Sequence, residues 1–264
     1  MSLNGMKAVI LAGGLGTRMQ ELTQLVPKPM VEIGGFPIIW HIMKIFEHHQ
    51  VNDFAVALGY KSHVVKDYFA NYRMRTNSVR IDLSTGEMIE EATHRERWCI
   101  DLVETGLNTQ TGGRIARLRK YIGDTPFFVT YGDGVSDVDL EALVAFHKAH
   151  GKIGTVTAVR PPSKFGALGL DDDQNVRSFT EKPIGGETWI NGGFFVFEPA
   201  IFDYLSTDET CILERAPLER LAQDGQLAAF RHPGFWQCLD TAKDVETVNK
   251  AWDSCDAPWK KWDV

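Results

Sequence analysis

The chain predicts an α/β fold, a doubly wound, mostly parallel (mixed) sheet with helices on both faces. Three observations carry that prediction. The short, continuous apolar runs Ala8–Ala12, Phe54–Leu58 and Phe127–Tyr131 read as strands buried on both faces. The stretches Pro37–His48 and Ser62–Tyr72 read as amphipathic helices, which gives β-α-β-α order. Each buried strand runs into glycine at its carboxyl end, the edge at which ligands sit in such sheets.

Composition narrows the class. With 264 residues, 44% hydrophobic and 24% charged, the chain is long enough for one large domain with a full core. A net charge of −7 without a basic run excludes nucleic acid as the main partner, so anion binding falls to local cations. Cys99, Cys211, Cys238 and Cys255 form no Cys-x-x-Cys pair, which leaves zinc and redox readings unsupported and free thiols in a reducing cytoplasm as the default. Met1–Gly5 lacks the features of a signal peptide and reads as a start extension before Met6, and no apolar run is long enough to span a bilayer. A soluble cytoplasmic protein is expected.

The first strand pours into Gly13-Gly-Leu-Gly-Thr-Arg18. Glycines 13, 14 and 16 allow positive φ and close approach of a ligand, so Gly14 to Thr17 would offer bare N–H groups beside the Arg18 guanidinium, a phosphate cradle. It is neither a dinucleotide fingerprint, which needs glycine at Met19, nor a P-loop, which needs Gly-Lys-Ser/Thr. In Pro27-Lys-Pro29 two prolines stiffen the backbone around Lys28 and exclude helix locally. The alternative is an ordinary strand-to-helix turn and a surface lysine; the pairing of the two motifs favours the cradle.

Val31–Ile33 reads as a short strand, and Ser62 as a helix cap. The polar stretch Arg73–Arg97 breaks the rhythm and predicts a hairpin excursion, after which Trp98–Glu104 restores a strand. Thr109 to Arg114 leads a helix running to about Ile122, whose start offers N–H groups to a base edge or phosphate. Phe127–Tyr131 delivers Gly132-Asp-Gly134, and Asp133 there suits a hard cation touching phosphate. Asp137 and Asp139 suit caps of the helix Leu140–His150, and His147 with His150 reads as a solvated helix end in preference to a metal pair. Strands follow at 155–159, 165–170, 176 onward and 190–197, with Glu181, Lys182 and Asn191-Gly192-Gly193 at their ends; an exposed ion pair is the plain alternative for Glu181 and Lys182. Helices are expected at 212–224 and 242–254, and Trp252, Trp259 and Trp262 pack the tail on the domain or meet a second copy.

Gly-Gly-x-Gly-Thr-Arg followed by Pro-Lys-Pro resembles the sugar-1-phosphate nucleotidyltransferases. Gln20-Glu21 stands where the wider family often has a proline, a departure shared with its cytidylyltransferase branch, and His232-Pro-Gly-Phe-Trp236, Leu239-Asp-Thr241 and Ala257-Pro-Trp-Lys260 are similar to that branch too. The resemblance covers most of Met6–Trp262 and implies a Rossmann-like, GT-A-like nucleotidyltransferase domain over 6–264, with a nucleotide half to about 150 and a sugar-phosphate half beyond. It implies CTP and glucose 1-phosphate as substrates, Mg²⁺ as cofactor, a homo-oligomer (trimer or hexamer), and an early step in making CDP-sugars for surface polysaccharide such as O-antigen.

Carried over by resemblance, Arg18 and Lys28 are catalytic, and Leu11, Ala12, Gly13, Gly14, Gly16, Thr17, Arg18, Lys28, Thr109, Arg114 and Gly132 bind nucleotide. Gly166, Glu181, Lys182, Asn191, Gly192 and Gly193 bind sugar phosphate, and Asp133 with Asp240 binds the metal. From local sequence alone, Asp240 is equally the N-cap of the following helix. In the implied reaction the sugar phosphate attacks the α-phosphorus of CTP in line and pyrophosphate leaves. A sugar phosphate with a second pKa of about 6 needs no general base. Three alternatives stand: a sister enzyme for UTP, dTTP or GTP; a glycosyltransferase using Asp137-Val-Asp139; and a non-catalytic nucleotide sensor.

Overall fold

The structure, a computed structural model, describes residues 3–16, 26–91, 96–161, 167–170, 176–180 and 188–262. In chain order the strands are β1 (Lys7–Leu11), β2 (Glu32–Ile33), β3 (Phe36–Pro37), β4 (Asp53–Leu58), β5 (Ser78–Asp82), β6 (Glu87–Glu91), β7 (Cys99–Glu104), β8 (Phe127–Tyr131), β9 (Gly134–Ser136), β10 (Gly154–Val159), β11 (Ala167–Leu170), β12 (Val176–Thr180), β13 (Ile190–Phe197), β14 (Leu227–His232) and β15 (Trp236–Cys238). The helices are α1 (Ile38–His48), α2 (Ser62–Ala70), α3 (Tyr72–Thr76), α4 (Thr111–Arg117), α5 (Arg119–Ile122), α6 (Leu140–His150), α7 (Ala216–Gln223) and α8 (Ala242–Asp253).

Seven of the described strands form one sheet in the order β14-β10-β13-β8-β1-β4-β7. β1 pairs in parallel with β4 and β8, β4 with β7 and β10 with β14, whereas β13 runs antiparallel to both β8 and β10. This is the expected mostly parallel, mixed sheet. Because side chains alternate across a strand, Ala8 and Ile10 enter the core on one face with α1, while Val9 and Leu11 enter the other with α4 and α5. Both faces are therefore covered, as the unbroken apolar runs require.

The antiparallel β13 matters most for the site. Its reversed direction brings its first residues to the edge where β1 and β8 end, and the register Phe195↔Val129 carries Gly193 opposite Tyr131. A second, two-stranded sheet clamps the same edge, where β9 and β15 pair with Gly134 opposite Cys238.

Several local expectations change. Leu227–His232, between the two helices expected at 212–224 and 242–254, is an edge strand of the main sheet, its short apolar run Leu227–Phe230 only partly buried. The helix expected from 212 begins at Ala216, with Pro217 in its first turn, and the helix expected to run unbroken to Ile122 is divided at Leu118. Ser62 is a first helical residue and not a cap, since Lys61 takes the N-cap position with φ 50° and no side chain caps it. The excursion is the hairpin β5–β6, as expected. No helix among the described residues is long and apolar enough to cross a membrane, and the four cysteines are free.

Candidate active site

Pro27 and Pro29 hold Lys28 as expected, though in a single 3-10 turn, Lys28–Met30, and not in a helix-free stretch. Proline is tolerated there because the first turn of a helix has no use for its missing N–H. Asp133 follows β8, Asp240 follows β15, and the two loops are tied by Leu239 N–H donating to Asp133 O at 2.8 Å. The three side chains then meet. Lys28 Nζ donates to Asp133 Oδ2 and to Asp240 Oδ1, each at 2.7 Å, with the lysine side chain 13% exposed.

The helix-cap alternative for Asp240 is resolved by its neighbour. Thr241 is the N-cap of α8 and forms a capping box with Asp244, which leaves the Asp240 carboxylate to face Lys28. Burial would lower the Lys28 pKa, but the charge and hydrogen bond of Asp133, with the hydrogen bond of Asp240, outweigh it and hold the ammonium above its ordinary value.

Cys238 joins the same cluster, with one ligand atom from each of Asp133, Cys238 and Asp240 lying within 4.8 Å of one another. Burial first, and then the charge of Asp133, push the Cys238 thiol up, so it stays protonated near neutral pH. The hard donors are thus the two carboxylates, the set that Mg²⁺ takes together with water and substrate phosphate. An ammonium already seated between them demonstrates that the pair accepts a cation.

A cavity of about 300 Å³ opens on one side of this cluster. Leu11, Ala12, Gly13, Gly14, Gly16, Lys28, Thr109, Arg114 and Gly132 all line it, together with Asp133 and Asp240. A second cavity, about 390 Å³, shares Asp133 and Asp240 and is lined by Asn191, Gly192, Tyr131, Glu214, Trp236 and Cys238, among others. Gly193 supports this wall by donating its N–H to Asn191 Oδ1 at 2.9 Å. Thr17, Arg18, Gly166, Glu181 and Lys182 lie outside the described residues.

Two expectations about the first cavity need correction. Of the three cradle glycines, Gly16 has positive φ (63°) and the other two do not; Gly13 is required by close approach, since a Cβ there would lie 2.2 Å from Arg114 Nη1. Arg114 itself is 4% exposed, and its guanidinium donates to Leu58 O, Thr105 Oγ1, Gly106 O, Gly13 O and Leu107 O. It fastens the ends of β4, β7 and β1 behind the cradle, with Nη1 and Nη2 bonded to four carbonyls and the Thr105 hydroxyl. Two of the N–H groups at the start of α4 are likewise taken: Gln110 N–H donates to Glu209 O and Gly113 N–H to Cys211 O. Gly113 is glycine because a Cβ would meet Asp208 O at 2.5 Å, so the segment leading to Glu214 lies directly on the helix start.

Elsewhere, Asp139 caps α6 and Asp137 faces His232 Nε2 at 3.0 Å, so the Asp-Val-Asp stretch makes no paired metal motif. His147 is not solvated but 1% exposed, bonded through Nδ1 to Thr155 Oγ1 and through Nε2 to Glu198, a partner invisible in the local sequence. Sequence reasoning missed Tyr131, Thr111, Glu214 and Trp236 as site residues. Trp236 was flagged by its motif alone, and Glu214 by nothing, since it lies in a polar stretch read as helix.

The Nucleotidyl transferase family matches residues 7–253. Glucose-1-phosphate cytidylyltransferase of Salmonella typhi is 50% identical over 259 residues, 98% of this chain and 100% of that protein. Probable glucose-1-phosphate cytidylyltransferase of Bacillus subtilis (strain 168) is 46% identical over 257 residues, 97% of this chain and 100% of that protein. Among solved structures, UDP-glucose pyrophosphorylase complexed with UDP-glucose is similar in fold, with a TM-score of 0.68 at 18% identity over 95% of this chain and 99% of that one. With a family match over nearly its whole length, and with end-to-end likeness to cytidylyltransferases around a cluster of one lysine and two aspartates, the chain belongs to the nucleotidyl transferase family.

Proposed function

We propose that this chain joins CTP and glucose 1-phosphate to give CDP-glucose and pyrophosphate. The observation that carries the reading is the position of Asp133 and Asp240, which line both cavities, with Lys28 bonded to both from the first. The first cavity takes CTP, its backbone amides and Lys28 facing the phosphates, and the second takes the sugar phosphate. Likeness to glucose-1-phosphate cytidylyltransferases at 50% and 46% identity supports the choice of substrates.

The chemistry needs positioning more than proton transfer. The sugar phosphate is already a nucleophile near neutral pH, its second pKa being about 6, and the obstacle is bringing two polyanions together. Lys28 lowers that repulsion and, held by Pro27 and Pro29, costs little to orient. Asp133 and Asp240 would hold Mg²⁺, which supplies charge neutralisation on the phosphate oxygens. Arg18, by resemblance, adds a second cation on the departing pyrophosphate. The protonated Cys238 contributes no nucleophile, in keeping with direct displacement. The setting proposed is a cytoplasmic homo-oligomer supplying an activated sugar.

Incubating the protein with glucose 1-phosphate, Mg²⁺ and each of CTP, UTP, dTTP and GTP, followed by product mass, tests the reading. CDP-glucose with pyrophosphate release is expected to dominate. Preference for another nucleotide would make the chain a sister enzyme, and no product with any nucleotide would refute the reaction.

A further inference from the structure

A third carboxylate reaches the second cavity and plays no part in the Lys28 cluster. Glu214 lies in the turn before α7, on a segment laced to the start of α4. Leu213, fully buried, donates its N–H to Thr111 Oγ1 at 2.9 Å, and the same hydroxyl donates to Glu214 Oε2 at 2.6 Å. From the opposite side, Tyr131 donates its hydroxyl to Glu214 Oε1 at 2.5 Å, and Asn191 Nδ2 donates to that hydroxyl at 3.1 Å. The carboxylate is thus fixed from both ends by neutral groups, and no lysine, arginine or histidine pairs with it among the described residues.

Fixing a half-buried charge in this way has a chemical meaning. A carboxylate accepts at about four positions, and among the described residues two are filled, one on each oxygen, which leaves each oxygen capacity for a donor in the cavity. The described lining combines Asp133, Asp240 and Glu214 with the rings of Tyr131, Phe194 and Trp236 and the Asn191 amide, and contains no cation. Such a wall repels phosphate and suits a neutral ring with hydroxyl donors and C–H faces, while the phosphate end turns to Lys28. We propose that Glu214 reads a hydroxyl of the sugar ring and so determines which hexose 1-phosphate is accepted. This deepens the sugar-phosphate role of the second cavity and rests on the reaction proposed above.

The test is Glu214→Gln, which keeps the shape and the Tyr131 contact and removes the charge. KM for glucose 1-phosphate is expected to rise roughly ten- to a hundredfold, the range for a hydrogen bond to a charged group, with KM for CTP nearly unchanged. A series of glucose 1-phosphates, each lacking one hydroxyl, supplies the control for a merely structural role. The wild type should discriminate against one of them strongly, and Glu214→Gln should have lost that discrimination while keeping the others. Equal rises in both KM values, or the same penalties in both proteins, would overturn the proposal. Calorimetric titration with the same sugar phosphates separates this from a wrong reaction. If no turnover is found with any nucleotide, a Glu214-dependent loss of affinity for the hydroxylated ligand alone still upholds the role of Glu214, and equal affinities refute it.

Discussion

Lys28 has two partners from opposite halves of the chain, and its removal and theirs are not equivalent. Lys28→Ala leaves Asp133 and Asp240 facing each other, so it removes the cation proposed to meet the phosphates and adds carboxylate repulsion that bound Mg²⁺ would relieve. Turnover at saturating CTP and glucose 1-phosphate is expected to fall by about 10²–10³, with the fold retained in Mg²⁺. Asp240→Asn should also keep the fold, because Thr241 and Asp244 cap α8 without it, yet lose most turnover and require more Mg²⁺. Steady-state rates across a Mg²⁺ series, with circular dichroism as the check on folding, decide both. Near-normal Mg²⁺-dependent rates in Asp240→Asn would leave Asp133 as the sole protein ligand. The raised Lys28 pKa makes no demand near neutrality, since its stabilisation is complete below about 10.5, the ordinary lysine value, and is lost as pH climbs through the higher folded one.

At the scale of elements, α1 and the tail meet around one histidine. His41 on α1 is fully buried, its Nε2 lies 2.9 Å from Ile33 O, and Trp252 and Trp259 pack edge-on against its ring. Burial lowers its pKa to about 4, so the folded protein holds it neutral while the unfolded chain protonates near 6.5. Stability from this group is present above 6.5 and lost as pH falls toward 4, by about 2 kcal/mol between pH 7 and pH 5. Urea unfolding of wild type and His41→Gln at the two pH values should show the smaller decline in the variant; equal declines would place the acid sensitivity elsewhere. The tail contact was legible as a tryptophan cluster, but its histidine was not. The same division runs through the site. β1, β8 and the Pro-Lys-Pro turn announce themselves because apolar continuity, glycine and proline act locally. Arg114 and Glu214 owe their roles to carbonyls and hydroxyls brought from distant segments, and no local pattern encodes those partners.

Over the whole molecule, the hairpin β5–β6 stands out among the described residues for its exposed apolar side chains. Ile81, Leu83, Met88 and Ile89 are 51%, 92%, 47% and 51% exposed, a concentration of apolar surface that fits contact with a second copy. Light scattering is expected to give a mass that is a multiple of 29.6 kDa, and Ile81→Lys with Ile89→Lys to lower it. An unchanged mass in that variant would move the contact off the hairpin. The lysine that joins two aspartates has a further consequence, for the order in which the molecule comes together. Lys28 lies 105 positions from Asp133 and 212 from Asp240, so closing the cluster costs nearly the largest loop entropy the chain can present. The cluster is therefore complete only when the Lys28 turn and the ends of β8 and β15 are all in place. Because β15 pairs with β9 and not with the main sheet, loosening of β15 alone is expected to undo the cluster while that sheet still stands.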